Sequence, residues 1–177
     1  MLGRTIRDPH GVECDHQEVR GLGLLAVETI LEKKKITAQV EAQLTHAWRA
    51  IEGSGRGDNG SPDIKGYEIH MGRTRWLENT RPAFVILKRN DQQVYQEDGA
   101  ISTDGRVWGT YLHGLFENDS FRRWFLNRIQ VKTEGLGSAK KRSTIHYDQE
   151  REQAFNRLAQ ITRKHLDLKR IYELLRP

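Results

Sequence analysis

Several features that define common protein classes are scarce or absent in this sequence of 177 residues. Its single cysteine, Cys14, excludes an internal disulfide. No apolar run approaches membrane-spanning length and no signal-peptide pattern opens the chain, so we expect a cytoplasmic protein with no membrane contact. Hydrophobic residues make up only 36% of the chain and the mean hydropathy is −0.74, which indicates a thin core or a piece of a larger structure.

Signals for nucleic-acid binding are also weak. The formal net charge is +5, but the basic residues are interspersed with 24 acidic ones. Only residues 33–35 and 140–142 form basic runs, and we interpret both as solvated turns. Because no RNA- or DNA-binding motif accompanies them, the sequence predicts no nucleic-acid partner.

Metal and phosphate sites are not expected either. His10, Cys14 and His16 are close in sequence, but no fourth ligand stands at a diagnostic spacing. The glycine-rich segment at 53–62 lacks the Gly-Lys-Ser/Thr ending of a phosphate-binding loop. We therefore expect these residues to bind no metal or cofactor, and we interpret 53–62 and 135–138 as loops.

The hydrophobic pattern predicts strands in the first two thirds of the chain. Residues 83–87 are typical of a buried strand, and residues 100–111 contain a hairpin around Thr103-Asp104-Gly105. The stretch from Ile36 to Ile51 is ambiguous, because apolar residues alternate up to Leu44 but also match a helical stripe. The pattern alone slightly favours the helix there.

Helices are predicted toward the C-terminus. Asn118-Asp119-Ser120 supplies N-cap residues for a first helix, 149–166 forms a second, and Asp167 caps a short third one. The residues predicted to face the core are Phe121, Trp124, Phe125 and Ile129, then Phe155, Leu158, Ala159 and Leu166, then Ile171, Leu174 and Leu175. Strands followed by helices indicate an α/β or α+β domain, and periodicity does not decide between them.

His113 is the strongest single candidate for catalysis. It lies in "GTYLHGLF", residues 109–116, at the end of a predicted strand. The proton equilibrium of histidine lies near neutral pH, so this side chain is suited to move protons. A strand-end histidine that bonds to the backbone fits the local pattern equally well.

Glu68 and His70 form a second candidate pair. They alternate along a predicted strand in "GYEIHMG", residues 66–72, so they share one face. The pair fits catalysis, although a structural hydrogen bond is the favoured interpretation.

Cys14 is a poor candidate for a nucleophile. Its neighbours Glu13 and Asp15 disfavour the thiolate, and no glycine stands beside it. We interpret it as an incidental loop cysteine.

Four segments form an ordered series of motifs: "GLGLLAVET", "GYEIHMGRT", "DGAISTDGRVWGTYLHGLF" and "HLDLKRIYELL". Together they resemble the C-terminal glutamine amidotransferase domain of cobyric acid synthases and related cobyrinic acid amidating enzymes. The resemblance runs from Met1 almost to the C-terminus. It implies a class I glutamine amidotransferase fold, a flavodoxin-like α/β sheet, and it favours a strand over a helix at 36–44.

The resemblance also implies roles for individual residues. In the family, a cysteine on a glycine-flanked turn attacks the side-chain amide of glutamine, a histidine transfers the proton as ammonia leaves, and water resolves the thioester. His113 matches that histidine, and we expect Glu68, His70 and Tyr111 to line the site. Class I members often carry a glutamate two residues after the histidine, where this chain has Leu115, so the group that orients His113 stays open.

Other parts implied by the resemblance are missing from residues 1–177. The family's cysteine run, Gly-Cys-Gly-Gly-Tyr-Gln, is followed directly by the Met-Leu-Gly with which this chain opens. We therefore expect a partial amidotransferase domain over 1–177, incomplete at its N-terminal side and without a nucleophile of its own. A synthetase domain that uses ATP and magnesium is expected to be absent as well.

The function implied is the supply of ammonia from glutamine for ATP-dependent amidation of corrin-ring carboxylates in cobalamin biosynthesis. Glutamine and a corrinoid acceptor are the implied partners, and we expect this chain alone to be inactive. Two alternatives stay open. In the first, the chain is a non-catalytic subunit completed by a separately encoded N-terminal half. In the second, it is a related amidotransferase with another acceptor.

Overall fold

The computed structural model describes residues 1–48, 61–131 and 146–175. Apart from Ser61 and Pro62, the predicted loops at 53–62 and 135–138 and the basic run at 140–142 lie outside the described residues. The chain divides into two units, Met1–Ile129 and Gln130–Pro177. The first unit contains the described strands, and the described helices Tyr147–His165 and Leu168–Leu174 lie in the second.

Two β-sheets make up most of the first unit. The larger sheet contains β1 (Thr5–Arg7), β2 (Glu18–Arg20), β3 (Val27–Leu44), β4 (Ile64–Trp76), β6 (Phe84–Arg89), β7 (Gln92–Asp98) and β10 (Leu112–His113). The smaller sheet contains β5 (Thr80–Arg81), β8 (Ala100–Ser102) and β9 (Trp108–Gly109). These sheets and the helices confirm the predicted α/β class.

Strand β3 is the centre of the larger sheet. One of its edges pairs with β4 along most of its length, whereas the other pairs first with β1 and then with β6. The β1–β3 pair is parallel, and the other described pairs are antiparallel. The strand implied for 36–44 is confirmed, and the helix that the pattern alone favoured is wrong there. Tertiary pairing on both edges overrides the helical stripe.

The lysine run at 33–35 lies in a strand. We predicted a solvated turn, but these residues are exposed positions of β3, next to an irregularity in its register with β4 between Leu31 and Ile36. The prediction of solvation is therefore confirmed and the prediction of a turn is wrong. A strand that extends beyond the core exposes both of its faces, so a polar run does not require a turn.

The predicted strand at 83–87 and the predicted hairpin at 100–111 are both present, as β6 and as the β8–β9 pair. They surround a core in which Trp48 and Phe84 are almost fully buried. The other buried members are Ala38, Val40, Ala42, Ala47, Ile64, Ala83, Ile86, Ile101, Leu112, Leu115 and Phe121. Leu112 and Leu115 anchor the segment around His113 in this core.

Helix α1 (Asp119–Val131) closes the core of the first unit. Phe121 is buried and Trp124 and Phe125 pack against the cluster, as predicted. Ile129 is 46% exposed, so its predicted inward position is wrong. The guanidinium of Arg128 lies over the Trp48 ring at 5.2 Å and covers this end of the core.

The second unit contains α2 (Tyr147–His165) and α3 (Leu168–Leu174). Asp167 caps α3 as predicted, because its side chain accepts a hydrogen bond from the Arg170 backbone N–H at 3.0 Å. The predicted inward positions are wrong: Phe155, Leu158, Leu166, Ile171, Leu174 and Leu175 are exposed and Ala159 is half-buried. Two described helices have an amphipathic pattern but too few partners to enclose a core.

Among the described residues, no helix is both long and apolar enough to cross a lipid bilayer.

Candidate functional site

The pairing of β10 with β4 decides where the candidate residues lie. The two strands are antiparallel, with Leu112 opposite Glu68 and His113 opposite Tyr67. Successive side chains of a strand point to opposite faces of the sheet. His113 and Tyr67 therefore share one face of β4, and Glu68 and His70 share the other.

Glu68 and His70 are in contact, as the shared face predicts. His70 Nε2 lies 3.3 Å from Glu68 Oε1, and Glu68 is only 1% exposed. Arg89 of β6 donates two further hydrogen bonds to the same carboxylate, at 2.9 and 3.3 Å. The other ring nitrogen, His70 Nδ1, donates to the Gly72 carbonyl oxygen at 2.8 Å. Both nitrogens of the His70 ring are therefore committed to partners.

The electrostatics of this cluster favour charged side chains. Burial alone lowers the pKa of His70, but the hydrogen bonds to Glu68 and to the Gly72 carbonyl outweigh it and raise that pKa above its ordinary value. Burial likewise acts to raise the pKa of Glu68, and the hydrogen bonds from His70 and Arg89 outweigh it and lower that pKa. The two groups thus stabilise each other as an ion pair.

Asp98 and Thr110 extend the cluster. Asp98 is 5% exposed, and its carboxylate accepts a hydrogen bond from the Thr110 hydroxyl. Burial raises the pKa of Asp98, and the negative charge of Glu68 raises it further. The hydrogen bond from Thr110 acts in the opposite direction but is outweighed. Sequence reasoning missed Arg89, Asp98 and Thr110, because they come from distant elements and no local spacing connects them to Glu68.

Tyr111 joins the same cluster. Its ring stacks on His70 with centroids 4.1 Å apart and planes 8° apart. Its hydroxyl accepts a hydrogen bond from Thr74 at 3.3 Å. A Cβ at Gly72 would stand 2.7 Å from that hydroxyl oxygen, so Gly72 provides the space for the ring. The structure thus brings Glu68, His70 and Tyr111 together.

His113 lies apart from these three residues. Its side chain is exposed, and its ring stacks on Tyr67 with centroids 5.0 Å apart and planes 10° apart. No described residue forms a hydrogen bond with the His113 ring, so the alternative of a backbone-bonded histidine finds no support in the described residues. Sequence reasoning missed Tyr67, which only the β4–β10 register reveals.

The loop that carries Cys14 is organised by a carboxylate. Asp8 is 3% exposed and accepts hydrogen bonds from the backbone N–H groups of Val12, Glu13 and Cys14. These hydrogen bonds, of which the one from Glu13 has the largest effect, lower the pKa of Asp8. The Cys14 thiol is exposed and donates a long contact to the His16 carbonyl oxygen at 3.6 Å. Within the described ranges, no cluster of three or more His, Cys, Asp or Glu side chains is arranged to hold a metal ion.

Two cavities border β4. The larger, of about 1060 Å³, is lined by His70 and Tyr111 together with Asp98. The smaller, of about 480 Å³, includes Met1 and Ile69 in its lining. Its lining also includes Cys14, His70 and Tyr111, so this cavity is not confined to the face of β4 that presents His113.

Comparison with known proteins shows which family the chain is similar to. A family model described as the CobB/CobQ-like glutamine amidotransferase domain matches residues 1–121. The cobyric acid synthases of Thermoanaerobacter sp. and Syntrophobacter fumaroxidans are each 40% identical over 175 residues, which is 99% of this chain and 33% of each relative. That of Clostridium botulinum is 42% identical over 175 residues, 99% of this chain and 32% of the relative. The chain thus spans about a third of the length of the relatives that it matches.

Proposed function

The chain belongs to the CobB/CobQ-like glutamine amidotransferase family, and from this premise we propose that it is part of the glutamine-hydrolysing domain of a cobyric acid synthase. Similarity over 99% of the chain to proteins of that name supports the proposal. Ammonia released from glutamine then amidates carboxylates of a corrin ring on the way to cobalamin. The part of the protein beyond these residues uses ATP and magnesium for that second step.

His113 is the observation that carries this proposal. Its ring is exposed at the end of β10, and no described residue occupies either ring nitrogen. An imidazole in that state accepts the proton of a thiol and returns it to a leaving amine. We assign His113 that role, as general base during attack and general acid as ammonia departs. His70 is unsuited to it, because both of its ring nitrogens already have partners.

The nucleophile in this proposal is a cysteine outside these 177 residues. Cys14 lies in an exposed loop whose backbone Asp8 holds, and its thiol donates to the His16 carbonyl oxygen rather than to a described histidine ring. The family pattern instead puts the reactive cysteine shortly before Met1.

Release of ammonia from glutamine tests the proposal. We expect no hydrolysis by the 177-residue chain alone, and hydrolysis once it is joined to or mixed with the remaining two thirds of a cobyric acid synthase. Cys14→Ala leaves the rate of that assembled protein unchanged. Hydrolysis by the chain alone that disappears in Cys14→Ala would contradict the assignment of the nucleophile.

The acceptor needs a separate measurement. Incubation of the assembled protein with glutamine, ATP, magnesium and a corrinoid acid is expected to add amide groups, which mass spectrometry detects on the corrinoid. Ammonia release without an amidated corrinoid would support the alternative with another acceptor. A chain that binds the remaining part without any hydrolysis would support the non-catalytic subunit.

A further inference from the structure

A catalytic histidine needs a group that fixes the orientation of its ring, and in the part of the chain that the structure describes no polar group bonds to the His113 ring. Leu115, two residues later, is apolar and 6% exposed within the core. No described carboxylate or carbonyl bonds to the ring nitrogens. The Glu68 carboxylate belongs to the opposite face of β4, where His70 and Arg89 occupy it.

The group that does contact the His113 ring is the side chain of Tyr67. The two rings are nearly parallel, at 10°, with centroids 5.0 Å apart. Stacking of this kind restricts the ring plane without using either nitrogen. It therefore holds the plane of the His113 ring and leaves both nitrogens available for proton transfer.

The backbones of the two strands are held together at this point. A Cβ at Gly66 would stand less than 3.0 Å from the His113 carbonyl oxygen, so only glycine allows β10 to approach so closely. The Asn118 side chain also links β4 to the residue that follows β10. It accepts from the Lys65 N–H at 2.9 Å and donates to the Lys65 and Gly114 carbonyl oxygens at 2.8 and 2.9 Å. Asn118, which we predicted as an N-cap residue, thus uses its side chain to join β4 to the residue after His113.

We propose that Tyr67 is the positioning residue of His113: its ring replaces a carboxylate as the group that orients the catalytic imidazole, and the Gly66 contact and the Asn118 bridge hold the two rings in register. The catalytic part of this proposal rests on the proposed function, whereas the contact between the rings does not.

Nuclear magnetic resonance tests the contact without any need for activity. The 177-residue chain is labelled at its histidines, and the His113 ring signals are assigned through His113→Gln. We expect these signals to lie upfield because they face the Tyr67 ring. The upfield shift is lost in Tyr67→Leu and kept in Tyr67→Phe. Tyr95→Leu is the matched control, since Tyr95 is 78% exposed and is not stacked on a histidine.

Kinetics of the assembled protein test the catalytic part. Misplacement of a reacting group by about 1 Å can cost about a hundredfold, so we expect Tyr67→Leu to lower kcat for glutamine hydrolysis by about ten- to a hundredfold. We expect KM to change by no more than a few fold. Tyr67→Phe keeps an aromatic ring at this position, so we expect its kcat to match that of the unaltered protein.

Each result has a separate meaning. His113 signals that are the same in Tyr67→Leu and in the unaltered chain, with both chains folded by circular dichroism, would overturn the positioning role. Loss of the upfield shift with an unchanged kcat would overturn the catalytic part of the proposal. An assembled protein that hydrolyses no glutamine at all, with the shift lost in Tyr67→Leu, contradicts the proposed function and leaves the contact established.

Discussion

Two histidine–tyrosine stacks lie on opposite faces of the same strand pair. β4 supplies Tyr67 to His113, and the segment that leads into β10 supplies Tyr111 to His70. Each segment thus provides the aromatic partner for the histidine of the other. The rings are nearly parallel in both stacks, at 10° and 8°.

The surroundings of the two histidines differ sharply. His70 has a partner on each ring nitrogen and sits against a carboxylate that is 1% exposed. His113 is exposed and has only its stacking partner among the described residues. A histidine whose nitrogens are satisfied stabilises the fold, whereas one with free nitrogens can exchange protons. The comparison therefore supports the proposed division of roles, in which His70 stabilises the fold and His113 transfers protons.

Removal of the Glu68 carboxylate, which pairs with His70 and Arg89, should have the largest effect on stability. Glu68→Ala leaves Arg89 and His70 without their shared counter-ion, and loss of one partner of a buried ion pair costs about 3–5 kcal/mol. We expect a fall of that size in the free energy of unfolding, measured by urea denaturation. Glu41→Ala is the control: its pair with Lys88 at 2.8 Å is exposed, and such pairs contribute about 0–1 kcal/mol. Equal losses in the two variants would contradict the structural role of the cluster.

A methyl group at Gly66 should weaken the pairing of β4 with β10 next to His113, with a smaller loss of stability. Gly66→Ala places a Cβ against the His113 carbonyl oxygen, and overpacking of this kind costs about 1–3 kcal/mol. Thermal unfolding measures the loss, and the His113 ring signals are expected to move as β10 shifts. In Gly109→Ala, the matched control, the new Cβ meets only the flexible end of Leu2 at 3.1 Å. If Gly66→Ala behaved like that control, the close approach of the two strands would be in doubt.

The pH dependence of stability should show a smaller difference that is specific to His70. Because folding raises the pKa of His70 above 6.5, its contribution is fully present below that pH and is lost as pH rises through the folded value. We expect the unaltered chain to exceed His70→Gln in unfolding free energy by more at about pH 5.5 than at about pH 8. Glu68 acts in the opposite sense, since its lowered pKa gives stability that is lost only at lower pH. A gap between the two chains that widens toward pH 8 would contradict the ion pair.

Local patterns were sufficient wherever the structure depends on neighbouring residues. The period of two along β4 placed Glu68 and His70 on one face, and their contact follows from it. Asp167 was recognisable as a cap from its position before a short apolar stripe. Local pattern was not sufficient for residues 36–44, because their apolar residues fit both the alternation of a strand and the stripe of a helix. Pairing with β4 and β6 decides in favour of the strand.

Contacts that depend on strand register could not be predicted. The four candidate residues were expected in one site, but the offset between β10 and β4 separates His113 from the other three. The same offset brings Tyr67 to His113, and no spacing in the sequence indicates it. The exposed faces of α2 and α3 were missed for a related reason. An amphipathic pattern identifies which residues could be buried and not what packs against them.

The rate of glutamine hydrolysis by the assembled protein carrying His113→Gln, compared with His70→Gln, tests the central claim most directly. Loss of a general acid–base group costs about 10²–10⁴ in kcat, so we expect a fall of that size for His113→Gln. Its unfolding free energy should change by no more than about 0.5 kcal/mol, because the side chain is exposed. We expect the folded fraction of His70→Gln to keep its kcat within a few fold. A folded His113→Gln protein with undiminished hydrolysis, or a folded His70→Gln protein without any, would contradict the account.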